Sequence, residues 1–415
     1  MSQDNVIDLK KPEPFIDDPI TTIIRQGARD LLAQALETEI ELIISQYTDL
    51  KDEIGRRRIV RNGYLPQREI QSGVGPIAVK APRIRDRHSN PSERIHYKSS
   101  ILPPYLRKTK SMERLIPWLY LKGISTGDFT NALAALVGKD APGLSPSTIS
   151  RLKASWQQDL DQWQMRDLSD KQYVYFWVDG IYCNVRMDDK QCLLVIIGAT
   201  EDGHKELVAI EGGFRESELS WTQLLLDLKA RGLIQGPQLA IGDGGLGFWK
   251  ALSQVYTDTR WQRCWVHKTA NVLNKLPKSL RAKAKDKLHQ IWMAPEKDEA
   301  QRHFDEFVRH YEAKYPKAVD CLTKDIDTLF TFMDYPDAHW LHLRTTNAIE
   351  STFATVKART RTTKGAGSRD AGLAMAFKLL TQAERRWRRV NSPHLVALVA
   401  AGVKFPDGET RILPN

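Results

Sequence analysis

The hydrophobic pattern begins with one long helical stretch. From Thr21 to Tyr47, apolar residues recur every three or four positions, which predicts a single amphipathic helix. The polar, proline-containing residues before it predict an irregular lead, so residues 1–50 form the first predicted segment. The apolar stripe has to be covered either by the protein's own core or by a second copy of the chain, and the pattern leaves both open.

Residues 51–110 change to short extended runs separated by glycine and proline. Arg68–Gln71 and Ile77–Lys80 predict small β-strands, and Asn62–Gly63 predicts a turn. Arginine is abundant and poorly mixed with acids, which favours phosphate contacts over a solvated basic face. The arginines predicted to contact DNA are Arg56, Arg57, Arg58, Arg61, Arg83 and Arg85.

Residues 111–168 predict three short helices separated by glycines. The third begins near Ser145, with a serine as cap and Pro146 in its first turn. This pattern is typical of a helix-turn-helix DNA-binding domain, although three-helix bundles that do not bind DNA share it. Its predicted DNA contacts, on the outer side of the third helix, are Ser147, Thr148, Arg151 and Lys153.

An α/β pattern follows in residues 169–266. Three strands are predicted first, then a helix, a strand, a helix and a strand, which is the order of a ribonuclease H-like sheet. Asp179 follows the first apolar strand and Asp243 follows the fourth. Open α/β sheets place their functional sites at strand ends, so residues 169–266 are predicted to be the first part of a catalytic domain.

The remaining chain is predominantly helical. Residues 267–342 are rich in charge and interrupted by prolines, which predicts an all-helical insertion that divides the catalytic domain. The last part of that domain is predicted at residues 343–390, and residues 391–415 form a C-terminal tail. The predicted fold is therefore a ribonuclease H-like α/β domain interrupted by helices and preceded by a helical and small-β DNA-binding region.

A helix predicted from Leu343 onward carries one acid, Glu350, among several bases. Two interpretations stand side by side. Asn347 could cap the helix with Glu350 as its capping-box partner, or the carboxylate could hold a metal against a bound polyanion. The residues of this stretch predicted to contact DNA are Arg344, Asn347, Lys357, Arg359, Arg361 and Lys364.

Composition narrows the class of protein. The 61 lysines and arginines outnumber 51 acids and give a net charge of +10, which favours a polyanionic partner such as nucleic acid. Four irregularly spaced cysteines fit a reduced, cytoplasmic protein better than a disulfide scaffold. Apolar runs are too short to span a bilayer, and the N-terminus lacks a signal-peptide pattern. Nucleotide-binding glycine motifs are absent, so we expect no nucleotide cofactor.

Three carboxylates from separate elements suggest the chemistry. Carboxylate oxygens are the ligands that Mg²⁺ and Mn²⁺ prefer, and a pair of such ions can clamp both oxygens of an in-line phosphoryl transfer. An aspartate followed by glycine is often only a turn signal, but two at strand ends with an acid on a later helix form a more specific pattern. We therefore predict that Asp179, Asp243 and Glu350 are catalytic and bind two ions.

Two further features are less specific. Cys264 and His267 have the spacing of half a zinc site, but no second pair follows at the usual distance, which favours a structural or DNA-positioning role. Trp340 is predicted to pack in the core, with stacking on an unpaired base near the cut as the alternative.

Motifs along most of the chain resemble the Mutator-type transposases of bacterial insertion sequences. The matching stretches are Arg61–Tyr64, Ala81–Asp86, Leu119–Thr126, Leu144–Arg151, Trp177–Gly180, Ile241–Gly244, Cys264–His267 and Leu343–Ser351. The last of these is the most specific. The resemblance implies that Asp179, Asp243 and Glu350 form an Asp-Asp-Glu triad and that Cys264 and His267 are the family's Cys-x-x-His signature.

The resemblance also implies a function. We expect transposition without ATP, by homodimers that bind double-stranded DNA at the element's terminal inverted repeats and at the target, in a bacterial cytoplasm near the nucleoid. An alternative of another class is a non-catalytic, sequence-specific DNA-binding protein derived from a transposase. A nuclease of the ribonuclease H type is a third possibility, which the insertion and the basic N-terminal modules disfavour.

Overall fold

The computed structural model describes residues 19–121, 146–185, 190–213, 215–362 and 366–409. The chain divides into two compact units, residues 1–152 and 153–415, which are described separately. The boundary lies within a helix, Pro146–Gln164, inside the predicted segment 111–168. The finer division into seven segments stays a prediction.

The first unit combines one long helix with two small hairpins. Its elements are α1 (Pro19–Gln46), β1 (Ile59–Tyr64), β2 (Arg68–Ser72), β3 (Gly75–Val79), β4 (Pro82–Asp86), a 3₁₀ turn (Pro91–Glu93) and α2 (Lys110–Leu121). β1 pairs antiparallel with β4, and β2 with β3. The long helix and the strands β2 and β3 agree with the sequence prediction. The predicted turn at Asn62–Gly63 is wrong, because these residues lie within β1 where the register shifts.

Helix α1 has two apolar faces. Leu36 packs in one buried cluster with Ile70 and Ile77 of the hairpin β2–β3, and Ile40 is fully buried. On the opposite face the apolar side chains are 49–71% exposed, and they are Ile20, Ile23, Ile24, Leu31 and Leu42. At 100° per residue, four of these five lie within roughly 40° of one another, so they form one stripe. Within the described residues, the protein's own core therefore covers only one of the two faces.

The predicted three-helix region is described in part. α2 corresponds to the first predicted helix, and α3 (Pro146–Gln164) corresponds to the third. The second predicted helix, between residues 125 and 138, lies outside the described residues.

The second unit is built on a five-stranded mixed sheet. Its strands are β5 (Tyr173–Cys183), β6 (Gln191–Thr200), β7 (Lys205–Gly213), β8 (Leu239–Gly242) and β9 (Arg260–Arg263). Their order in the sheet is β7-β6-β5-β8-β9. The first three form an antiparallel meander, and β5, β8 and β9 run parallel. The unit is therefore a mixed α/β structure in which β5 is the central strand.

Helices α4 (Glu218–Ala230) and α5 (Leu246–Val255) connect β7 to β8 and β8 to β9. Trp221 and Leu225 from α4 and Leu252 from α5 pack with Phe176 and Ile196 of the sheet in one buried cluster. The connection through α4 brings β8 beside β5 in parallel, although the two strands are far apart in sequence, and the connection through α5 brings β9 beside β8.

Every element between β9 and residue 346 is helical. The elements are α6 (Trp265–Leu273), a 3₁₀ turn (Lys278–Leu280), α7 (Arg281–Met293), α8 (Lys297–Tyr311), α9 (Pro316–Thr323), α10 (Ile326–Leu329), a 3₁₀ turn (Thr331–Asp334) and α11 (Asp337–Leu343). The last helices are α12 (Asn347–Thr362), α13 (Arg369–Glu384) and α14 (Pro393–Ala400), followed by a 3₁₀ turn (Pro406–Gly408). Each helix that the structure describes is too short or too polar to cross a membrane.

Within the predicted all-helical insertion, residues 316–334 do not form one continuous helix but divide into α9, α10 and a 3₁₀ turn. Side chains from β9 and α6 bind the backbone groups that a continuous helix would use. The Leu329 carbonyl accepts from Trp265 Nε1 at 2.8 Å and from Gln262 Nε2 at 3.1 Å, and Phe332 N–H donates to Gln262 Oε1 at 2.7 Å. Tertiary hydrogen bonds therefore outweigh the local helical preference here.

Candidate active site

Parallel pairing of β5 with β8 places two aspartates side by side. Trp177 of β5 lies opposite Ile241 of β8, and Asp179 and Asp243 each follow two residues later. Neighbouring strands lie about 4.8 Å apart, and residues two apart point to the same face. The Gly180 N–H donates to Asp179 Oδ1 and the Gly245 N–H donates to Asp243 Oδ1, both at 2.8 Å. The two carboxylates are thus held by the backbone at the edge of the sheet where β8 ends. The prediction that Asp243 follows a strand is confirmed, whereas Asp179 lies within β5, which continues to Cys183.

A carboxylate that sequence analysis missed lies beside this pair. Glu216 precedes Ser217, the N-cap of α4. Its Oε1 occupies the space that a Cβ on Gly180 would fill, and its Oε2 lies 3.6 Å from the position of a Cβ on Gly245. Asp243 Oδ1 is 3.4 Å from that same position. No periodicity or strand end marks Glu216 in the sequence, and nothing local distinguishes it from Glu218.

Neighbouring carboxylates raise the pKa values of Asp179 and Glu216. Burial raises the pKa of Asp179 to about 7, and the neighbouring charges of Asp243 and Glu216 add to the rise, whereas His267 opposes it. Burial and the charge of Asp243 also raise the pKa of Glu216. Negative charge is therefore crowded at this edge, and a cation would stabilise it. Because the donors are hard carboxylate oxygens, they fit Mg²⁺ or Mn²⁺.

Backbone hydrogen bonds join this edge to the segment that carries Glu350. The Cys264 N–H donates to the Gly242 carbonyl at 2.8 Å, and the Trp265 N–H donates to the Arg344 carbonyl at 3.0 Å. The start of α6 is thereby fixed to the end of β8 and to the residues that lead into α12. The indole N–H of Trp177 donates to the His342 carbonyl at 2.8 Å, which adds a link from β5.

Glu350 lies in the first turn of α12 within a small polar cluster. The Thr346 hydroxyl donates to Glu350 Oε1 at 2.8 Å and also lies 3.3 Å from Cys264 Sγ. His267 Nδ1 lies 3.6 Å from Glu350 Oε1. Ligand atoms of Cys264, His267 and Glu350 all lie within 4.8 Å of one another, and Cys264 is fully buried. The charge of Asp179 also acts on His267, so this imidazole is within electrostatic range of both Glu350 and Asp179.

The capping-box interpretation of Asn347 and Glu350 is wrong. α12 begins at Asn347, so Thr346 is the residue that precedes the helix, and its carbonyl accepts from the backbone N–H of Ile349 and of Glu350. The carboxylate of Glu350 bonds to the Thr346 hydroxyl rather than turning back to Asn347. Glu350 is therefore oriented toward His267 and Cys264.

Cys264 and His267 form a charge-coupled pair. Burial opposes ionisation of the thiol, but hydrogen bonds from His267 and Thr346 outweigh it and lower the pKa of Cys264. The hydrogen bond with Cys264 raises the pKa of His267 to about 9, against the effect of burial, and the charges of Glu350 and Asp179 add to the rise. A positively charged imidazole beside the carboxylates is the result.

The residues on α12 predicted to contact DNA differ in exposure. Asn347, Lys357 and Arg361 are exposed, whereas Arg359 is only 3% exposed and lies within the protein. Lys364 lies outside the described residues. Just before the helix, the guanidinium of Arg344 lies 5.0 Å from the ring centre of Trp292 and donates to the Trp292 carbonyl at 3.2 Å.

Three of the predicted arginines in the first unit have acidic partners. Arg58 forms an ion pair at 2.8 Å with the buried Asp86, Arg61 pairs with Glu37 at 2.7 Å, and Arg56 pairs with Asp52 at 3.1 Å. The other three, Arg57, Arg83 and Arg85, are exposed. Arg58 thus contributes to the folded structure of the β1–β4 pair.

The remaining predicted residues lie on α3 and α11. Arg151 is exposed and Lys153 is half-buried, while the side chains of Ser147 and Thr148 lie outside the described part of the structure. Trp340 is 8% exposed, packs edge-on against Phe332 and donates its indole N–H to the Tyr335 carbonyl at 2.8 Å. This is the core position that its sequence context favoured.

Comparison with known proteins identifies the family. The family model described as "Transposase, Mutator family" matches residues 5–390. The chain belongs to the Mutator family of transposases. The relatives of this transposase include the one for insertion sequence element IS6120 of Mycolicibacterium smegmatis, at 55% identity over 298 residues, which are 72% of this chain and 92% of the relative.

Two further relatives carry the same kind of description. The transposase for insertion sequence element IST2 of Acidithiobacillus ferrooxidans is 51% identical over 284 residues, 67% of this chain and 94% of the relative. The transposase for IS256 in transposon Tn4001 of Staphylococcus aureus is 29% identical over 346 residues, 80% of this chain and 85% of the relative. The resemblance found in the sequence motifs is therefore confirmed at the level of the family.

The Cys264–His267 pair predicts a measurable titration. In metal-free protein, His267 should titrate near pH 9, and Cys264→Ala should move its pKa down toward the usual value of about 6.5, because the hydrogen bond that favours the imidazolium is lost. NMR of the protein labelled with ¹³C at histidine Cε1 measures the shift, with His267→Gln to assign the signal. An unchanged pKa in the Cys264 variant would contradict the pairing.

Proposed function

We propose that this transposase binds the terminal inverted repeats of an insertion sequence and catalyses metal-dependent strand cleavage and strand transfer there. The observation that carries the proposal is the pairing of β5 with β8, which sets Asp179 beside Asp243 at the edge to which Glu350 is joined. The sheet order β7-β6-β5-β8-β9 supports a ribonuclease H-like fold. The uninterrupted helices between β9 and α12 support an all-helical insertion in that fold.

Each carboxylate has a proposed role. Asp179 and Asp243 would hold two Mg²⁺ or Mn²⁺ ions, and Glu350 would complete the ligands of one of them. When bound, such ions activate an attacking oxygen and stabilise a leaving oxygen. At this edge the protein first orients the scissile phosphodiester toward a water molecule. After cleavage, it holds the liberated 3′-hydroxyl in line with a target phosphodiester. His267 and Thr346 hold the Glu350 carboxylate in position, which is the structural role of the Cys-x-x-His signature in this proposal.

Basic side chains beyond Glu350 form a surface for DNA on α12. We call this surface, made by Lys357 and Arg361, the DNA track. Lys357 and Arg361 follow Glu350 by seven and eleven residues, about two and three helical turns, so they extend from the same side of α12. Both are exposed and line a cavity of about 440 Å³ together with Tyr182, Asn184 and Lys190. We propose that this cavity receives the DNA backbone. The buried Arg359 is not part of this surface.

The first unit offers a second set of DNA contacts. Arg83 and Arg85 are two residues apart on β4, so they lie on the same face, and both line a cavity of about 400 Å³. Arg151 lines another cavity, of about 610 Å³, with Arg107 and Lys108. Because these surfaces carry clustered positive charge, we propose that they bind the phosphates of the terminal repeat.

Glu350→Gln tests the catalytic assignment. Strand cleavage of an oligonucleotide carrying the element end should fall more than about 100-fold, because loss of even an indirect partner of a metal ligand costs 10–100-fold. Binding to the same end should be unchanged in a mobility-shift assay. Glu312→Gln, on an exposed residue after α8, serves as the matched control. Undiminished cleavage by Glu350→Gln would contradict the assignment, and wild-type protein that binds the end without cleaving it in Mg²⁺ or Mn²⁺ would favour the non-catalytic alternative.

A salt titration tests the track on α12. Each phosphate contact contributes about 0.9 to the slope of log K against log salt concentration, so replacing Lys357 and Arg361 by alanine should reduce that slope by about 1.8. Fluorescence anisotropy with the element end measures the slope. Lys317 and Lys324, exposed lysines of the helical segment, provide a control pair of alanine substitutions. Equal slopes for the two double variants would exclude the track.

We also propose that this transposase is a homodimer that uses the exposed apolar stripe of α1. Leu31 is 69% exposed on that stripe, and a glutamate there would place charge in a helix–helix contact. Leu31→Glu should therefore convert the dimer to monomers in sedimentation analysis, whereas Ile234→Glu, at a residue 64% exposed in the second unit, should leave it intact. A wild-type monomer, or a Leu31→Glu dimer as strong as wild type, would contradict the proposal.

A further inference from the structure

We propose that Glu216 is a fourth carboxylate of the metal centre and directly holds a divalent ion together with Asp179 and Asp243. This inference rests on the metal site of the proposed function and adds a catalytic residue to it. Glu216 is contributed by the loop after β7, an element from which the triad takes no residue.

The first support is the close approach of Glu216 to the backbone beside Asp179. Its Oε1 lies where a Cβ of residue 180 would be, so a larger residue at that position would displace the carboxylate from this place. Gly247 likewise lies close to the backbone of Ser217 and Glu218, and a Cβ there would be 2.7 Å from the Glu218 nitrogen. Two glycines thus let the loop that carries Glu216 approach the ends of β5 and β8 closely.

The second support is the position of Glu216 relative to Asp243. Glu216 Oε2 and Asp243 Oδ1 lie 3.6 Å and 3.4 Å from one point, the position of a Cβ on Gly245. Two ions about 4 Å apart, with ligand bonds of about 2.1 Å, are surrounded by oxygens that lie up to about 8 Å from one another. Carboxylates of Asp179, Asp243 and Glu216 at this edge therefore fit around one pair of ions.

The third support is the contrast with the neighbouring glutamate. Glu218 turns toward α5, where it accepts from Gln254 at 3.0 Å and pairs with Lys250 at 3.5 Å. The cap of α4 is provided by Ser217, which accepts from the Ser220 N–H, so Glu216 is not needed as a cap. The Glu216 side chain instead turns toward the carboxylates of Asp179 and Asp243. Such an arrangement costs free energy through repulsion unless a cation binds between them.

Three variants of the full-length protein separate this role from a structural one. Glu216→Gln keeps the shape and removes the charge, Glu218→Gln makes the same change two residues away, and Asp179→Asn tests the site itself. Calorimetric titration with Mn²⁺ in the absence of DNA should give an affinity at least about 10-fold weaker for Glu216→Gln. Glu218→Gln should match wild type, and Asp179→Asn should lose most of the binding.

Thermal unfolding provides a readout other than activity. Without metal, Glu216→Gln should melt at or above the wild-type temperature, because one repelling charge is gone. With Mn²⁺, its rise in melting temperature should be smaller than that of wild type. In cleavage assays, the Mn²⁺ concentration for half-maximal rate should rise at least about 10-fold. A residue that only supports the fold would lower the melting temperature without changing these metal dependences.

The outcomes are distinct. Wild-type Mn²⁺ affinity in Glu216→Gln, together with weakened binding in Asp179→Asn, would overturn the role of Glu216 and leave the proposed function intact. Wild-type affinity in both variants would overturn the metal site as a whole. If Glu216→Gln fails to fold, Glu216→Asp takes its place, and wild-type Mn²⁺ affinity in that variant, with its shorter carboxylate, overturns the proposal.

Discussion

The parallel pairing of β5 with β8 is the constraint on which the rest of the second unit depends. It sets Asp179 and Asp243 at equivalent positions beside each other, where β8 ends and β5 continues to Cys183. Two carboxylates this close repel each other, and burial raises the pKa of Asp179 to about 7. The fold therefore maintains an arrangement that is unfavourable by itself and that a divalent cation would relieve.

Residues far apart in sequence are brought to that edge by a few hydrogen bonds at the start of α6. Cys264 binds the end of β8 through its backbone and Thr346 through its sulfur, and Trp265 binds the carbonyl of Arg344. The intervening helices can thus lie between β9 and α12 without separating Glu350 from the sheet. In the proposed function, Cys264 and His267 orient the carboxylate of Glu350.

Sequence patterns predicted the parts of this arrangement that follow from periodicity. Asp179 and Asp243 were found because an apolar run precedes each of them, and Glu350 because it is the single acid in a basic helix. Burial and tertiary pairing were not predictable in the same way. Arg58 and Arg359 looked like surface cations, but one binds a buried aspartate and the other lies within the protein.

Glu216 shows why the candidate site could not be completed from the sequence. It lies in a loop before a helix, where no hydrophobic pattern specifies which way a side chain turns. Its side chain lies against Gly180 and its loop lies against Gly247, and these contacts appear only when the loop is placed against the sheet. The family match likewise establishes the kind of protein and leaves the individual ligands to geometry.

The most direct test of the central claim is a crystal structure of the protein with Mn²⁺ and a DNA end, in which anomalous scattering locates the ions. The account predicts Mn²⁺ bound by Asp179 and Asp243, with Glu350 completing the coordination of one ion at about 2.2 Å. Ions bound elsewhere, or a Glu350 carboxylate more than about 8 Å from both aspartates, too far to share a pair of ions about 4 Å apart, would contradict it.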